Sequence, residues 1–209
     1  MYKYFLKRAL DVLISFLAIA ILLIPMLIIA LVVRIDTGAP AIFKQKRVGK
    51  NKKPFYILKF RTMKADAPSD TPTSSISDSE RWISGVGRAL RSTGLDELPQ
   101  MFNILVGHMS FVGPRPIIFG EEELIAERDK NGVNGIRPGL TGWAQINGRE
   151  KISVNEKARF DGEYVKKLNG NLFSGIFMDV RCVLGTVPVI IVSFLERGKA
   201  KENTDKRSL

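Results

Sequence analysis

The sequence predicts a mainly α-helical protein with one small β-hairpin (α+β). It also predicts a monotopic membrane protein, held on one membrane face by an N-terminal re-entrant helix hairpin and by interfacial helices. Three observations predict this. Residues 9–33, ALDVLISFLAIAILLIPMLIIALVV, form an apolar run interrupted only by Asp11 and Ser15, and about 20 apolar residues suffice to cross a bilayer. Residues 40–64 carry many cations and no acid, with apolar clusters on both sides of the turn-like VGKNKKP. Helically spaced segments fill most of the remainder and end in a second apolar stretch at 172–195.

The first element is the membrane segment. Lys3, Lys7 and Arg8 precede the apolar run, and Arg34, Lys44, Lys46 and Arg47 follow it. Positive charge marks the cytoplasmic side, so a single span would export one basic flank. Pro25 lies inside the run, where it removes a backbone hydrogen bond and clashes with the preceding turn. A helix that enters, bends near Ile24-Pro25 and leaves on the same face satisfies both observations. A plain spanning helix is the alternative, since prolines also occur in ordinary spans.

The hairpin follows, with strands expected at 41–47 and 55–62. Alternation in the second strand puts Phe55, Ile57, Lys59 and Arg61 on one face, so that Lys59 and Arg61 point the same way, as a phosphate clamp needs. Solvated lysines near anionic headgroups are the plainer reading of the turn. Residues 65–78, rich in Ser, Thr, Pro and Asp, read as a loop. A short basic helix is expected over 80–91, capped by Ser77, Asp78 or Ser79. A further helix should carry Leu98 to Leu105. HMSFVGPRPI reads as a loop and 121–130 as an acidic helix. Residues 135–149 are too glycine-rich for regular structure but include Trp143, Gln145 and Arg149. A helix at 154–168 should place Asp161, Tyr164, Val165 and Leu168 on one face. In 172–195 the apolar pattern is broken by Asp179, Arg181, Gly185 and Pro188, which suggests helices lying in the interface. The domain division is 1–36, the re-entrant hairpin; 37–195, a cytoplasmic-face domain with interfacial helices; and 196–209, a charged, disordered tail.

Composition narrows the function. A chain of 209 residues, 45% hydrophobic, can build a core. Its formal charge of +11 selects polyanionic partners: nucleic acid, an anionic membrane face or phosphorylated substrates. The lone Cys182 excludes an internal disulfide and a cysteine-rich zinc site, and the lone His108 excludes a multi-histidine metal site. Any metal should be a hard cation held by oxygen.

Against this basic background, GLDELPQ (94–100) sets Asp96 and Glu97 side by side just before Pro99. Proline is tolerated only in the first turn of a helix, so a helix should begin very near Asp96. A carboxylate there can be a helix cap. The same location also binds phosphate or a metal–phosphate complex. Arg88 and Arg91 lie just before the acids and Arg115 just after. Cations that keep a carboxylate ionised allow it to attack phosphorus, and arginines with Mg²⁺ stabilise the transferring oxygens. The residues alone therefore point to a membrane-attached enzyme of phosphoryl-type transfer.

KFRTM (59–63), LRSTGLDELPQMFNILVGHMSFVGPRP (90–116), RPGLTGWAQINGR (137–149) and FDGEYV (160–165) resemble the signature blocks of the bacterial sugar transferase family, the monotopic phosphoglycosyl transferases, here in their minimal form. The resemblance implies transfer of a phospho-sugar from a UDP-sugar to undecaprenyl phosphate, with UMP as the other product, as the first membrane step of glycan assembly such as exopolysaccharide. It implies a ping-pong mechanism with Asp96 as nucleophile. Glu97 would assist, by positioning Mg²⁺ or by handling protons. It matches Lys59, Arg61, Arg91 and Arg115 to basic positions around the phosphates, and Gln145, Arg149 and Asp161 to further positions of the phosphate and nucleotide site. It implies the cytoplasmic face of the bacterial inner membrane and contact with membrane lipids. No oligomeric state is assigned, and a homodimer is compatible with the sequence. NGNLFSGIFM (169–178) departs most from the family pattern, which leaves the sugar open. A non-enzymatic membrane adaptor is the alternative from another class. A nucleic-acid-binding protein is disfavoured, because no nucleic-acid motif accompanies the charge.

Overall fold

The computed structural model describes residues 5–67, 79–148 and 152–205, with 79–80 and 190–205 described as backbone only. The chain is mostly helical, as expected, and carries two small sheets where one hairpin is expected. The end of the expected tail, 206–209, lies outside the described residues.

Helix α1 spans Lys7–Thr37. It continues through Pro25, where the sequence suggests a bend or break. Leu22 and Met26, on either side of that proline, pack in one cluster with Val33, Phe60 and Leu90, and this packing holds the turns around the missing hydrogen bond. At 31 residues, a straight helix of this kind is about 46 Å long at 1.5 Å per residue. Phe16, Ile21, Ile24, Leu27, Leu31 and Ile35 are all exposed on it. Such a surface calls for lipid rather than water.

The first half of α1 also carries a polar stripe. Lys7, Asp11 and Ser15 are buried at four-residue intervals. Lys7 Nζ donates to Asp179 Oδ2 at 2.5 Å. Arg8 donates to the carbonyls of Ile104 and Leu105 at 2.6 and 2.8 Å. Asp11 Oδ1 accepts from Ser110 Oγ and from the Phe111 N–H. Lys7 and Arg8 thus also serve as anchors of α1. Of the two polar interruptions of the apolar run, Asp11 is a docking group, and Ser15 returns its hydroxyl to the Asp11 and Val12 carbonyls of its own helix.

Strands β1 (Ile42–Val48) and β2 (Pro54–Phe60) form the expected two-stranded sheet. They are joined by a 3-10 turn, Lys50–Lys52, in which Asn51 and Lys52 have φ of 55° and 60°. Phe55 and Ile57 are buried and Tyr56 exposed. The alternation then fails: Phe60 is buried and Lys59 only partly so.

The single helix expected over 80–91 is two helices, α2 (Ser79–Trp82) and α3 (Gly85–Thr93). The break arises because Ile83 bridges to Met63 and the Ser84 N–H donates to the Thr62 carbonyl. Ser84, not an upstream residue, caps α3 by accepting from the Gly87 N–H. Of the upstream caps proposed, Ser77 and Asp78 lie outside the described residues. Helix α4 is Gln100–Val106. Two segments read as irregular contain short strands, β3 (Ser110–Val112) and β4 (Gly139–Thr141), paired in parallel with Ser110 opposite Gly139 and Val112 opposite Thr141. Three-residue strands among glycines carry no periodicity to read. Helix α5 (Glu122–Lys130) matches expectation, and α6 (Trp143–Ile146) is a turn of helix where none is expected.

Helix α7 (Val154–Leu168) occupies the expected span and buries Asp161, Tyr164, Val165 and Leu168 on one face. Ser153 and Glu156 form a capping box at its start. Helix α8 runs unbroken over Leu172–Asp205, through Gly185 and Pro188 and into the charged tail. The helix is thus unbroken at Gly185 and Pro188, where the sequence suggests breaks. ERGKAKENTD contains several good helix formers, which extend a helix already nucleated. Within α8, Leu172–Val189 is long and apolar enough to cross a membrane, as is α1.

The chain divides into two compact units. The first comprises Met1–Ala20, Lys46–Ile57 and Gln100–Val187. Its largest core is built from Val112, Val133, Tyr164, Val165, Leu168 and Met178. The second comprises Ile21–Gln45, Leu58–Pro99 and Pro188–Leu209, with its core at Met26, Val33, Phe60 and Leu90.

Candidate active site

In the second unit the Asp-Glu pair sits in a 3-10 turn, Leu95–Glu97, between α3 and α4. Gly94 ends α3 in the left-handed region at φ 73°, a conformation glycine adopts at no steric cost. Pro99 cannot continue an incoming helix. Those two residues isolate LDEL as a separate turn. The helix expected near Asp96 instead begins at Gln100, so Asp96 is not its cap.

The turn faces two cations. Lys59, from the end of β2, donates to Glu97 Oε1 at 2.6 Å. Arg91, from the last turn of α3, is fixed by its Nε, which donates to Thr62 Oγ1 at 2.8 Å. Asp96 is half-buried, and burial pushes its carboxyl above the ordinary carboxylate range. Lys59 acts in the opposite direction, Glu97 adds to the rise, and Arg91 offsets part of it. The result is an acid with cations at hand whose charged form is incompletely solvated. Such groups cluster where carboxylates do chemistry.

Lys59, Arg91, Asp96 and Glu97 are therefore brought together. Arg61 is not part of that contact set. It lies past the end of β2, donates from Nε to the Pro40 carbonyl at 3.0 Å and stands 5.6 Å over the Phe43 ring. The shared Lys59–Arg61 face fails because the strand ends at Phe60. Arg88 is exposed and donates to the Ile83 carbonyl.

The remaining predicted residues belong to the first unit. Arg115 is exposed in the GPRP loop after β3. Gln145, in α6, is buried; its Nε2 donates to the Leu140 carbonyl, and its Oε1 has no partner among the described residues. Asp161 is 1% exposed, and its Oδ2 accepts from Arg128 Nε at 2.9 Å and Nη2 at 2.6 Å. Its carboxylate is buried against the Arg128 guanidinium. Arg149 lies outside the described residues.

Thr62 and Arg128 are functional-site candidates that sequence reasoning missed. For Arg128 a signal was present. It follows Leu124 by four residues on the buried face of α5, and a buried arginine requires a buried acid. Asp161, on the apolar face of α7, is that acid.

Among the described residues no group of three or more His, Cys, Asp or Glu could hold a metal. Two adjacent carboxylates nevertheless suit Mg²⁺, which is usually held by one or two carboxylates with substrate phosphates and water completing the shell.

Comparison with known proteins decides the family. The bacterial sugar transferase family matches residues 2–193. The chain belongs to the bacterial sugar transferase family. An exopolysaccharide production protein, PSS, of Rhizobium leguminosarum bv. phaseoli is 39% identical over 206 residues, covering 93% of this chain and 97% of that protein. An uncharacterized sugar transferase of Bacillus subtilis, EpsL, is 36% identical, covering 90% of this chain and 88% of its own length. The UDP-glucose:undecaprenyl-phosphate glucose-1-phosphate transferase of Escherichia coli is 36% identical over 189 residues, covering 87% of this chain but 39% of that longer protein. This sugar transferase is accordingly an enzyme, and the adaptor alternative falls.

Proposed function

We propose that this sugar transferase moves a phospho-sugar from a UDP-sugar to undecaprenyl phosphate. The observation that carries the reading is the half-buried Asp96 with Lys59 and Arg91 beside it, in a chain whose relatives include enzymes named for glucose-1-phosphate transfer to undecaprenyl phosphate. A carboxylate oxygen of Asp96 attacks the sugar-bearing phosphorus. The bond to the bridging oxygen breaks and UMP departs with that electron pair. An oxygen of undecaprenyl phosphate then attacks the same phosphorus, the acyl phosphate breaks, and Asp96 is released as carboxylate. The products are undecaprenyl-diphosphate-sugar and UMP.

Lys59, Arg91 and Arg115 are proposed to take phosphate oxygens, and Arg61, Gln145 and Arg149 to contribute to donor binding. Asp96 and Glu97 would hold Mg²⁺, which supplies charge neutralisation on the phosphoryl oxygens. Glu97 also shares Lys59, which steadies the turn carrying Asp96. The reading places the enzyme at the cytoplasmic face of the bacterial inner membrane, with residues 1–36 re-entrant and 37–195 catalytic. Both substrates are then reachable, because the acceptor phosphate lies at the membrane surface.

The test is UMP release from a panel of UDP-sugars, UDP-glucose first, with undecaprenyl phosphate and Mg²⁺, for wild type and Asp96→Asn. Release by wild type alone is expected. Undiminished release by the variant would remove Asp96 as nucleophile. Tags at the two ends should both report the cytoplasm, and opposite sides would mean that α1 spans.

A further inference from the structure

The GPRP loop is held by its backbone, and one of its holders is a buried ion pair. Arg128 is 5% exposed and Asp161 1%. Two of the guanidinium nitrogens serve Asp161, and the third, Nη1, donates to the Arg115 carbonyl at 3.0 Å. The whole guanidinium is therefore spent on two partners in one rigid arrangement. Elsewhere the loop is caught on both sides. Tyr164 Oη donates to the Val112 carbonyl at 3.1 Å, and Arg47 Nη1 to the Pro116 carbonyl at 3.2 Å. The Val48 N–H donates to the Ile117 carbonyl at 2.9 Å. Those contacts fix the flanks. Only the Arg128 contact falls on the residue whose own side chain stays exposed.

We propose that Arg128 is a positioning residue for Arg115. With Asp161 as its interior counter-ion, it grips the Arg115 carbonyl and so sets where the Arg115 guanidinium stands. A buried fork of this kind fixes direction as well as distance, which lysine cannot do. The pair is retained because it orients a loop cation, not because an interior ion pair is an efficient source of stability. The inference rests on the reading that Arg115 takes a donor phosphate.

The decisive variant is Arg128→Lys, which keeps a cation for Asp161 but cannot also serve the Arg115 carbonyl. Arg128→Met serves only as a stability reference, since it leaves Asp161 unpaired. The full-length protein in detergent is assayed for UMP release with the UDP-sugar that wild type turns over fastest. The variants are Arg128→Lys, Arg115→Met and the double variant. Arg115→Met should lower kcat/KM for the donor about tenfold, as loss of a charge-assisted hydrogen bond does. Arg128→Lys should lower it similarly, through KM rather than kcat, and should add almost nothing in the Arg115→Met background. Hydrogen exchange of the Gly113 and Ile118 amides, which donate to the Thr141 carbonyl and to Glu121 Oε1 on either side of Arg115, gives a readout independent of turnover and should quicken in Arg128→Lys. Additive losses, or unchanged exchange in Arg128→Lys, would overturn the positioning role. An Arg115→Met variant with wild-type kinetics would instead overturn the phosphate reading of Arg115, leaving the exchange result to decide whether Arg128 orders the loop.

Discussion

Asp96 and Asp161 are both aspartates in family-like motifs of a basic chain, yet their surroundings assign them opposite work. Asp161 lies in the interior, where two nitrogens of Arg128 donate to its Oδ2. Asp96 is half-buried and forms no ion pair among the described residues, although Lys59 and Arg91 act on it electrostatically. A fully buried carboxylate held by an interior guanidinium is scaffold. One left partly desolvated near cations that already have other partners is available for a reacting phosphorus. Residue type does not separate the two; burial and partner count do.

The sharpest way to break this comparison is Asp96→Asn. Loss of a nucleophile should lower UMP release on the order of 10⁴-fold or more, with little change in thermal stability. A variant that unfolds instead would make Asp96 scaffold as well. Asp161→Ala should do the reverse in kind. It leaves Arg128 buried without a counter-charge, an effect of about 3–5 kcal/mol on stability, read from denaturant unfolding in detergent. A loss typical of a surface substitution would mean that Arg128 finds water or another acid.

The pH profile sharpens the contrast. The Asp96 carboxyl is raised by burial, and only its deprotonated form attacks phosphorus. As pH falls, kcat/KM should therefore be lost at a higher pH than for an ordinary carboxylate. Lys59→Met removes a cation that lowers this pKa, so the acid limb should move to still higher pH. A limb that does not move would mean that another group limits the rate.

The smallest effect belongs to an exposed acid. Lys52 and Asn134 hold the Asp129 carboxyl below the usual range. Its folded pKa is lower than its unfolded one, so its contribution is present above the unfolded value and lost as pH falls through the folded value. Asp129→Asn should cost about 0.2–1 kcal/mol at neutral pH, as exposed pairs do, and nothing in strong acid. A larger loss would show that the Lys52–Asp129 contact is more than a surface pair.

Elements with a strong local signal were legible in the sequence. Helix α7 could be read because Ala158, Asp161, Tyr164, Val165 and Leu168 repeat at helical spacing after a Ser-x-x-Glu cap. The hairpin could be read because turn residues separate two apolar clusters. Strands β3 and β4 could not, since each has three residues and depends on a partner distant in sequence. The Ser84 break was hidden because Thr62 and Met63, not local propensity, interrupt the helix. Within the candidate site, Asp96 and Glu97 were legible as acids placed against the general basic bias, and Lys59 and Arg91 through the motifs that carry them. The surroundings of Arg61 were not legible, because alternation does not extend past Phe60, the last residue of β2.

By itself the sequence determined the apolar run of α1, the spacing of the long helices, and the family motifs. All are local properties, set by backbone restrictions and side-chain periodicity within a few residues. Only the tertiary structure decided that Lys7, Arg8 and Asp11 are internal anchors, that Lys59 reaches Glu97, and that Asp161 belongs to Arg128. Those outcomes depend on which distant groups share a low-dielectric interior, where an unpaired charge is prohibitive and a paired one is committed. No window of neighbouring residues contains that information.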